Sequence, residues 1–364
     1  MVEQPLSSPS AAKMAQTVNR GSLMWVLTDP LARVTFATAR LEPTRALREL
    51  GWDVTLICAG EPDLTELRGV PITAVSMPDT YLVRQLIYHW RVIQHILQDW
   101  DTLDVVMFYQ MSALWLLPLK LLRLLRGGNG PLFVMDVRDL NSADGNWKTT
   151  LRASYYQAMH WLANRFADGQ TTITKRMAEL VGVPPQKLLG VWASGVNLDH
   201  FKQSRESRQW PAAGEPVRLV YIGRSHHERC LQPRWEAVLA ANKAGMNFVL
   251  SLVGGGPAEA DLQKLADQSD GGIQLLGSVN HAEIPRLLGE SHIGVTSLPP
   301  VANVKFQASS PIKLFEYLAA GMPVLATRNV CHTDVTDGEP FMFWAADATC
   351  DDELDGLKDA WARR

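Results

Sequence analysis

The stretch SSPIKLFEYLAAGMPVLAT, residues 309–327, decides the fold. Ser310 is a residue type that commonly caps helices, and the ring of Pro311 fixes a backbone angle that suits the first helical position. Gly321 suits the residue just past a helix end, and the apolar run Pro323–Ala326 has the composition of a strand buried on both faces. The stretch therefore predicts a short helix that leads directly into a buried strand.

The same alternation of strand and helix extends over the rest of the chain. The apolar runs that predict the other strands are separated by enough residues for a helix; they are Leu23–Leu27, Val54–Cys58, Val105–Tyr109, Leu132–Asp136, Thr171–Thr174, Arg218–Ile222, Asn247–Val253, Ile273–Leu276 and Ile293–Ser297. A polar stretch, Gln203–Pro216, separates the first five from the others. The pattern predicts an α/β protein of two doubly wound, Rossmann-like domains that bind ligands in the cleft between them.

The domain boundaries follow from this division and from the chain length. The 364 residues are enough for about two domains. We predict a loose N-terminal tail over residues 1–20, a first domain over residues 21–202, a linker over residues 203–216 and a second domain over residues 217–364.

The composition excludes several classes of protein. Hydrophobic residues make up 46% and charged residues 20%, which excludes a disordered chain. The net charge of −3 provides no basic field for nucleic acid. The four cysteines form no CxxC pair, and the N-terminus has no apolar leader segment. We therefore expect a cytoplasmic protein with no metal site, no bound cofactor and no nucleic acid partner.

The helix of the deciding stretch is a candidate anion site. Its first amide groups have no partner within the helix, which favours a phosphate at that end. Glu316 lies about a turn and a half inside, and its side chain leans back toward the helix start. A carboxylate there could accept hydrogen bonds from two sugar hydroxyls. An ordinary capped helix with a solvated glutamate fits the same residues, so the chemistry alone leaves both interpretations open.

Three further segments follow predicted strand ends. Gly223-Arg224, with Arg229 five residues after the arginine, would place two guanidinium groups where a diphosphate could bind. The turn VGGGP, Val253–Pro257, brings glycines to a strand end, and the strand exit LGSVNH, Leu276–His281, could present backbone hydrogen bonds to a flat base. Taken singly, these segments also fit solvated loops and tight surface turns.

In their order and spacing, these segments resemble the donor domain of the GT-B glycosyltransferases, specifically the large retaining group often called family 4. That group shows a G-R at a strand end, a cation five residues later, V-G-x-G-P, L-G-x-V and E-Y-L-A-x-G-x-P-V-[VL]-A. The matching residues are Gly223-Arg224, Arg229, Val253–Pro257, Leu276–Val279 and Glu316–Ala326. Weaker similarities at Ser194–Phe201 and Ala46–Cys58 extend the resemblance over most of the chain.

The resemblance implies roles for these residues and domains. Arg224 and Arg229, beside Gly223, would bind the diphosphate of a nucleotide sugar, and Glu316 would hold its ribose hydroxyls. The other donor contacts would be the base-binding Ser278 and Val279 and the phosphate-facing Ser310, Ile312, Lys313 and Leu314. The first domain would bind the acceptor and the second domain the donor.

The chain departs from the family pattern in several places. Ala308 stands where the family often has another glutamate, and Thr28–Thr38 replaces its Gly-rich first loop. The loop after the fourth predicted strand carries Arg138 and Asp139 where a histidine is frequent; they are candidate contacts for the acceptor or the reacting sugar, with a buried Arg–Asp pair as the open alternative. The family's usual closing helices are missing before Arg364, so we expect a truncated or loosely coupled second domain.

The most apolar stretch, Ser112–Arg126 (SALWLLPLKLLRLLR), is too short to span a bilayer. Lys120, Arg123 and Arg126 recur at three-residue steps, and no acidic residue lies between Ser112 and Gly130. A helix that lies on an anionic membrane surface and a core helix with a basic outer face both fit this pattern.

Together, these observations predict a retaining, metal-independent glycosyltransferase of the hexosyltransferase type. It would transfer a sugar from a nucleotide-diphosphate-sugar to a hydroxyl of a saccharide or lipid-linked acceptor in the cytoplasm. If the stretch Ser112–Arg126 lies on an anionic membrane surface, the transfer would take place at the inner face of the membrane. Two alternatives stay open, namely a catalytically inactive GT-B binding or scaffold protein and a nucleotide-sugar epimerase of the same fold. Turnover of the donor without an acceptor would distinguish the epimerase.

Overall fold

The computed structural model describes residues 20–31, 37–78, 81–140, 146–299 and 304–364. The predicted tail lies outside these residues except for Arg20, and so does part of the segment that replaces the Gly-rich loop. By their contacts, the described residues form two compact units, one from segments 1–34 and 40–135 and the other from segments 35–39 and 136–364.

As far as residue 137, strands and helices alternate along the chain, except that three strands follow one another after the first helix. The elements are β1 (Gly21–Val26), α1 (Thr38–Glu49), β2 (Trp52–Ala59), β3 (Glu66–Leu67), β4 (Val70–Val75), α2 (Tyr81–Gln98), β5 (Val105–Phe108), α3 (Leu116–Leu125) and β6 (Leu132–Val137). The strands lie in the order β3-β4-β2-β1-β5-β6, with β3 antiparallel to β4 and the other neighbours parallel. Continuous apolar runs such as VTLIC in β2 form these strands because both faces of a parallel sheet are covered.

The apolar residues Leu86, Trp90, Ile93 and Leu97 recur at steps of four and three, which predicts an amphipathic helix, and α2 confirms it. The helix nevertheless buries a different face from the one that this spacing indicates. Leu86, Trp90 and Leu97 are 72%, 62% and 42% exposed, whereas Tyr88 and Val92 are fully buried. The Tyr88 hydroxyl donates to the Leu27 carbonyl just after β1 and lies 3.4 Å from the Ile57 carbonyl oxygen in β2, and these contacts fix the rotation of the helix. The exposed residues therefore leave an apolar stripe on the surface.

The remaining elements belong to the second unit. They are α4 (Trp147–Phe166), β7 (Gly169–Thr172), α5 (Lys175–Leu180), β8 (Leu188–Val191), α6 (Lys202–Ser207), β9 (Val217–Ile222), α7 (Leu231–Lys243), β10 (Phe248–Val253), α8 (Glu259–Asp267), β11 (Ile273–Gly277), α9 (Ile284–Gly289), β12 (Ile293–Thr296), α10 (Val304–Gln307), α11 (Ile312–Ala319), β13 (Val324–Thr327), α12 (Val330–Thr336), β14 (Met342–Ala345) and α13 (Cys350–Ala362). Strands β7 and β8 extend the sheet beyond β6. The predicted linker thus begins inside a helix, α6.

A second, fully parallel sheet has the strand order β11-β10-β9-β12-β13-β14. The order reverses between β9 and β12, and doubly wound sheets bind ligands at the carboxyl ends of the strands beside such a reversal. The two sheets confirm the predicted α/β fold class.

Tyr317 attaches helix α11 to the point of reversal. Its hydroxyl accepts a hydrogen bond from the Ile222 amide at 2.9 Å and lies 3.2 Å from the carbonyl oxygens of Val220 and Val295. Its ring occupies the space above Gly294, where a Cβ would lie 2.4 Å from the ring. The deciding stretch is therefore held directly against β9 and β12, and the start of α11 is positioned by the sheet.

Candidate active site

The candidate donor site lies at the carboxyl end of β9, where Gly223 and Arg224 follow the strand. The Gly223 amide donates to the Val253 carbonyl at 2.9 Å. A Cβ at Gly254 would lie 2.2 Å from the Gly223 carbonyl oxygen, and one at Gly256 would lie 2.2 Å from that of Ser225. The VGGGP turn therefore needs its glycines because it packs against the loop that carries Arg224, and it is not an independent surface turn.

The two predicted arginines differ in their surroundings. Arg224 is exposed, and among the described residues its side chain has no hydrogen-bond or ion-pair partner. Arg229 is partly buried, with its guanidinium carbon 5.6 Å from the centroid of the Phe306 ring. Both side chains carry a positive charge on the loop between β9 and α7, since arginine stays protonated in proteins.

The start of α11 differs from the prediction. The helix begins at Ile312 with Pro311 at the N-cap position, and proline has no side-chain acceptor for the first amides. Ser310 does not cap the helix, because its hydroxyl accepts a hydrogen bond from the Ser194 amide at 2.9 Å and its carbonyl accepts one from the Ser194 hydroxyl at 2.8 Å.

This arrangement leaves the first helical amides available for an anion. The Leu314 amide donates to the Pro311 carbonyl at 3.0 Å, and the Leu314 side chain is fully buried. Within the described part of the chain, the amides of Ile312 and Lys313 have no acceptor. The phosphate-facing role thus fits Ile312 and Lys313 better than Leu314, whose amide already has a partner.

The side chain of Lys313 lies at the same place. Its Nζ is 3.5 Å from the centroid of the Tyr221 ring and 3.0 Å from the position that a Cβ of Gly223 would occupy. Burial lowers the pKa of Lys313 well below its ordinary value, and the nearby charge of Arg229 lowers it further. The sequence predicted only the backbone of this residue as a contact, because nothing in the pattern indicates where the side chain lies.

Glu316 is buried rather than solvated, with 7% of its side chain exposed. Its Oε1 lies 3.4 Å from Nε2 of His281, which is in turn 3.5 Å from the Thr38 hydroxyl. The His281 ring stacks on His200, with the centroids 4.9 Å apart and the planes 5° from parallel. The sequence indicated the strand exit before His281 but no role for either histidine.

Ser278 and Val279 follow β11 on the neighbouring side of the VGGGP turn. The Gly277 carbonyl accepts a hydrogen bond from the Gly254 amide at 2.7 Å, which connects the two loops. Ser278 is exposed, and Val279 packs partly against the core beside α11. Their backbone is thus near the phosphate-facing loop, as a base-binding role requires, and that role stays a prediction.

Arg138 and Asp139 are separated by the structure. Arg138 is buried and donates to Asp136 at 2.7 Å, and its guanidinium carbon lies 4.6 Å from the centroid of the Trp192 ring. Arg138 therefore forms a buried ion pair, as the alternative interpretation of the sequence predicted, but its partner is Asp136 and not Asp139. Asp139 lies 3.5 Å from Nζ of Lys305 and is the more accessible of the two predicted residues.

Sequence reasoning missed a buried ion pair behind the arginine loop. Arg234 on α7 donates two hydrogen bonds of 2.7 Å to Glu353 on α13, and both side chains are almost completely buried. Ser297 at the end of β12 adds a third hydrogen bond to Glu353 at 3.2 Å. The positive charge of Arg234 also acts on Lys313 and on Tyr221.

Two family profiles match the chain. The profile described as "Glycosyl transferases group 1" matches residues 216–354, and the one described as "Glycosyl transferase 4-like domain" matches residues 37–191. A curated relative, WcaL of Salmonella typhimurium, is named as a colanic acid biosynthesis glycosyltransferase and is 26% identical over 150 residues. That alignment covers 40% of this chain and only 35% of the relative.

Solved structures with the same fold cover nearly the whole chain. HepE of Anabaena, solved in complex with UDP, is 14% identical with a TM-score of 0.64, and the match covers 94% of this chain and 90% of HepE. WaaG, a glycosyltransferase involved in lipopolysaccharide biosynthesis, is 14% identical with a TM-score of 0.61, and the match covers 93% of this chain and 90% of WaaG. These structures show that the chain has the GT-B fold, and the two profile matches, which together cover most of the sequence, show that it belongs to the group 1, family 4-like glycosyltransferases.

Proposed function

We propose that the protein transfers a sugar from a nucleoside-diphosphate-sugar to a hydroxyl group of an acceptor. The observation that carries this proposal is the concentration of positive charge and free amides at the carboxyl end of β9. The guanidinium groups of Arg224 and Arg229 supply the charge, and the amine of Lys313 lies there with the first amides of α11. Glu316 lies about one turn further along that helix, and a carboxylate can accept hydrogen bonds from the hydroxyls of a ribose.

The chemistry that this site supports is the departure of a nucleoside diphosphate. When the bond between the anomeric carbon and the diphosphate oxygen breaks, its electron pair leaves with the diphosphate. Fixed cations and amides aimed at that oxygen stabilise the developing charge without reorganisation. Because the cationic side chains and the helix amides can offset the negative charge of the departing diphosphate, we propose that the reaction needs no metal ion.

The finer features of the reaction rest on the family resemblance. Retention of configuration at the anomeric carbon and a hexose as the transferred sugar are carried over from the family. The names of WcaL and WaaG favour a cell-surface saccharide or a lipid-linked saccharide as acceptor. Asp139 is the accessible candidate for an acceptor contact.

A thermal-shift screen with UDP, GDP, ADP and TDP and their sugars tests donor binding. A ligand present at 100 times its Kd should raise the melting temperature by about 3–4 °C, because it stabilises the native state by about 2.7 kcal/mol. Arg224→Ala and Glu316→Ala should reduce both this shift and donor hydrolysis, whereas Arg286→Ala, at an exposed position of α9, should change neither.

The outcomes separate the alternatives. If both site variants match the wild-type protein, the site assignment is wrong. Binding without hydrolysis or transfer would indicate an inactive scaffold protein, and conversion of the sugar without an acceptor would indicate an epimerase.

We also propose that α2 and α3 contact an anionic membrane. Five leucines in and before α3 are 42–76% exposed at helical spacing; they are Leu114, Leu117, Leu121, Leu124 and Leu125. No helix in the described part of the chain is long and apolar enough to cross a membrane. The outer face of α3 is therefore apolar with cations interspersed, which departs from a purely basic face and favours binding at the lipid surface.

The stripe on α2 supports the same proposal. The connections β4–α2–β5 and β5–α3–β6 run in the same direction across the sheet. Right-handed crossovers therefore place α2 and α3 on the same face of the sheet. The apolar stripes of the two helices thus lie on one side of the first unit.

Liposome co-sedimentation at low salt tests this surface. We expect the protein to bind vesicles that contain phosphatidylglycerol, and Leu121→Ser with Leu124→Ser should lower the partition coefficient at least tenfold, since each leucine contributes about 1 kcal/mol or more. Leu50→Ser, at another exposed position of the same unit, is the control. Equal sedimentation of the double variant and the wild-type protein would contradict the proposal.

A further inference from the structure

Lys313 carries a side-chain amine that has no anionic partner among the described residues of the candidate donor site. Its Nζ lies 3.5 Å from the centroid of the Tyr221 ring and 3.0 Å from the position that a Cβ of Gly223 would occupy. Among the described residues, no hydrogen bond or ion pair is made by this nitrogen. A side chain with this chemistry is placed to meet an anion that arrives from outside.

The charged groups around Lys313 are mostly positive. Arg229, on the loop after β9, and Arg234, on α7, both disfavour its protonated form, and Glu316 on its own helix favours it. The charge of Arg234 is offset by Glu353, whereas Arg229 has no carboxylate partner among the described residues. Tyr221 and Tyr317 also face the site and stay neutral, since burial raises the pKa of both phenols.

A diphosphate reverses this balance. The anionic diphosphate, if bound between Arg229 and the start of α11, would offset the guanidinium charge and attract a proton to the amine of Lys313. We propose that Lys313 is a third cation of the diphosphate site and takes up its proton from the solvent as the nucleoside diphosphate binds. This inference rests on the proposed donor site. The Nζ lone pair forms the new N–H bond, and the ammonium and the phosphate oxygens then form a charge-assisted hydrogen bond.

The direction of the pH effect follows from this step. In the free protein, burial and the arginines lower the pKa of Lys313, and in the complex the diphosphate raises it again. Between these two pKa values, binding takes up as much as one proton, and the Kd of the nucleotide increases with pH. Below the lower value the amine is already protonated, so the coupling disappears.

Isothermal titration calorimetry at about pH 8 measures the uptake directly, using the nucleoside diphosphate that gives the largest thermal shift. At this pH the phosphate groups are fully ionised, since their second pKa is about 6. Titration in two buffers of different ionisation enthalpy gives the number of protons bound. We expect about 0.3–1 proton per nucleotide for the wild-type protein, on the argument that one group titrates.

The variants assign this proton to one residue. Lys313→Met should abolish the uptake and weaken binding about tenfold or more, as loss of a charge-assisted hydrogen bond predicts. Lys313→Arg should bind without uptake, because a guanidinium is already charged. Lys264→Met on exposed α8 should behave as the wild-type protein.

The outcomes are distinct. Binding to the wild-type protein without proton uptake, or uptake that persists in Lys313→Met, would overturn the role of Lys313 and leave the proposed donor site intact. If the wild-type protein binds no nucleoside diphosphate, the proposed function fails together with this inference. Should Lys313→Met not fold, the comparison of the wild-type protein with Lys313→Arg decides, because only the wild-type Kd should increase with pH.

Discussion

Replacing Glu353 with alanine is expected to lower the free energy of unfolding by about 3–5 kcal/mol, because it leaves the Arg234 charge buried without a partner. Glu353 accepts two hydrogen bonds of 2.7 Å from Arg234, and the exposed fractions of the two side chains are 1% and 0%. Unfolding in urea, with the nucleotide absent, measures this loss.

Two further variants test the physical reason. Replacing both partners with apolar residues of similar size, Arg234→Met with Glu353→Leu, should recover most of the lost stability, since no charge is then buried. Asp355→Ala, on the same helix, removes an exposed pair with Lys358 and should cost about 0.5 kcal/mol or less. If Glu353→Ala were as stable as Asp355→Ala, the buried pair would not stabilise the second unit.

The sequence predicted the central strands well because strands that are buried on both faces consist of uninterrupted apolar residues. Runs such as VTLIC in β2 and the strand after Gly321 are apolar without interruption, as parallel strands covered on both faces require. Elements that depend on tertiary contacts were missed. The seven residues of α12 include β-branched types that disfavour a helix, and the side chain of Asn329 caps its start. Strand β4 contains Pro71, which is typical of a strand near a sheet edge.

The sequence predicted those parts of the candidate site that depend on local motifs and on the order of these motifs along the chain. Gly223, Arg229 and Glu316 follow from motifs in one order, and the structure brings their elements to one end of the second sheet. The long-range partners were not predictable, since Arg234 and Glu353 are 119 residues apart and neither lies in a recognisable pattern. For the same reason, the sequence assigned a cap to Ser310, although its hydroxyl bonds to a residue 116 positions earlier.

Arg229→Ala is expected to lower kcat/KM for sugar transfer by about 10²–10³-fold, the usual effect of removing one fixed group that stabilises transition-state charge. Arg229 is the partly buried cation of the loop after β9, and its charge acts on Lys313 directly. Steady-state kinetics with the donor identified by thermal shift measures the change. Without this guanidinium, the pKa of Lys313 should also be less depressed in the free protein, so proton uptake on nucleotide binding should fall.

The conservative variant separates charge from geometry. Arg229→Lys should keep kcat/KM within about tenfold of the wild-type value, because an ammonium retains the charge but loses the planar, bidentate donor set. A matched change on the surface, Arg286→Ala, should have no effect, since this side chain pairs only with exposed glutamates among the described residues. Wild-type kinetics and nucleotide affinity in a folded Arg229→Ala protein would contradict a role in stabilising the leaving group. A loss of activity shared equally by Arg229→Ala and Arg229→Lys would show instead that the site requires the guanidinium geometry, with Phe306 holding the plane of the group.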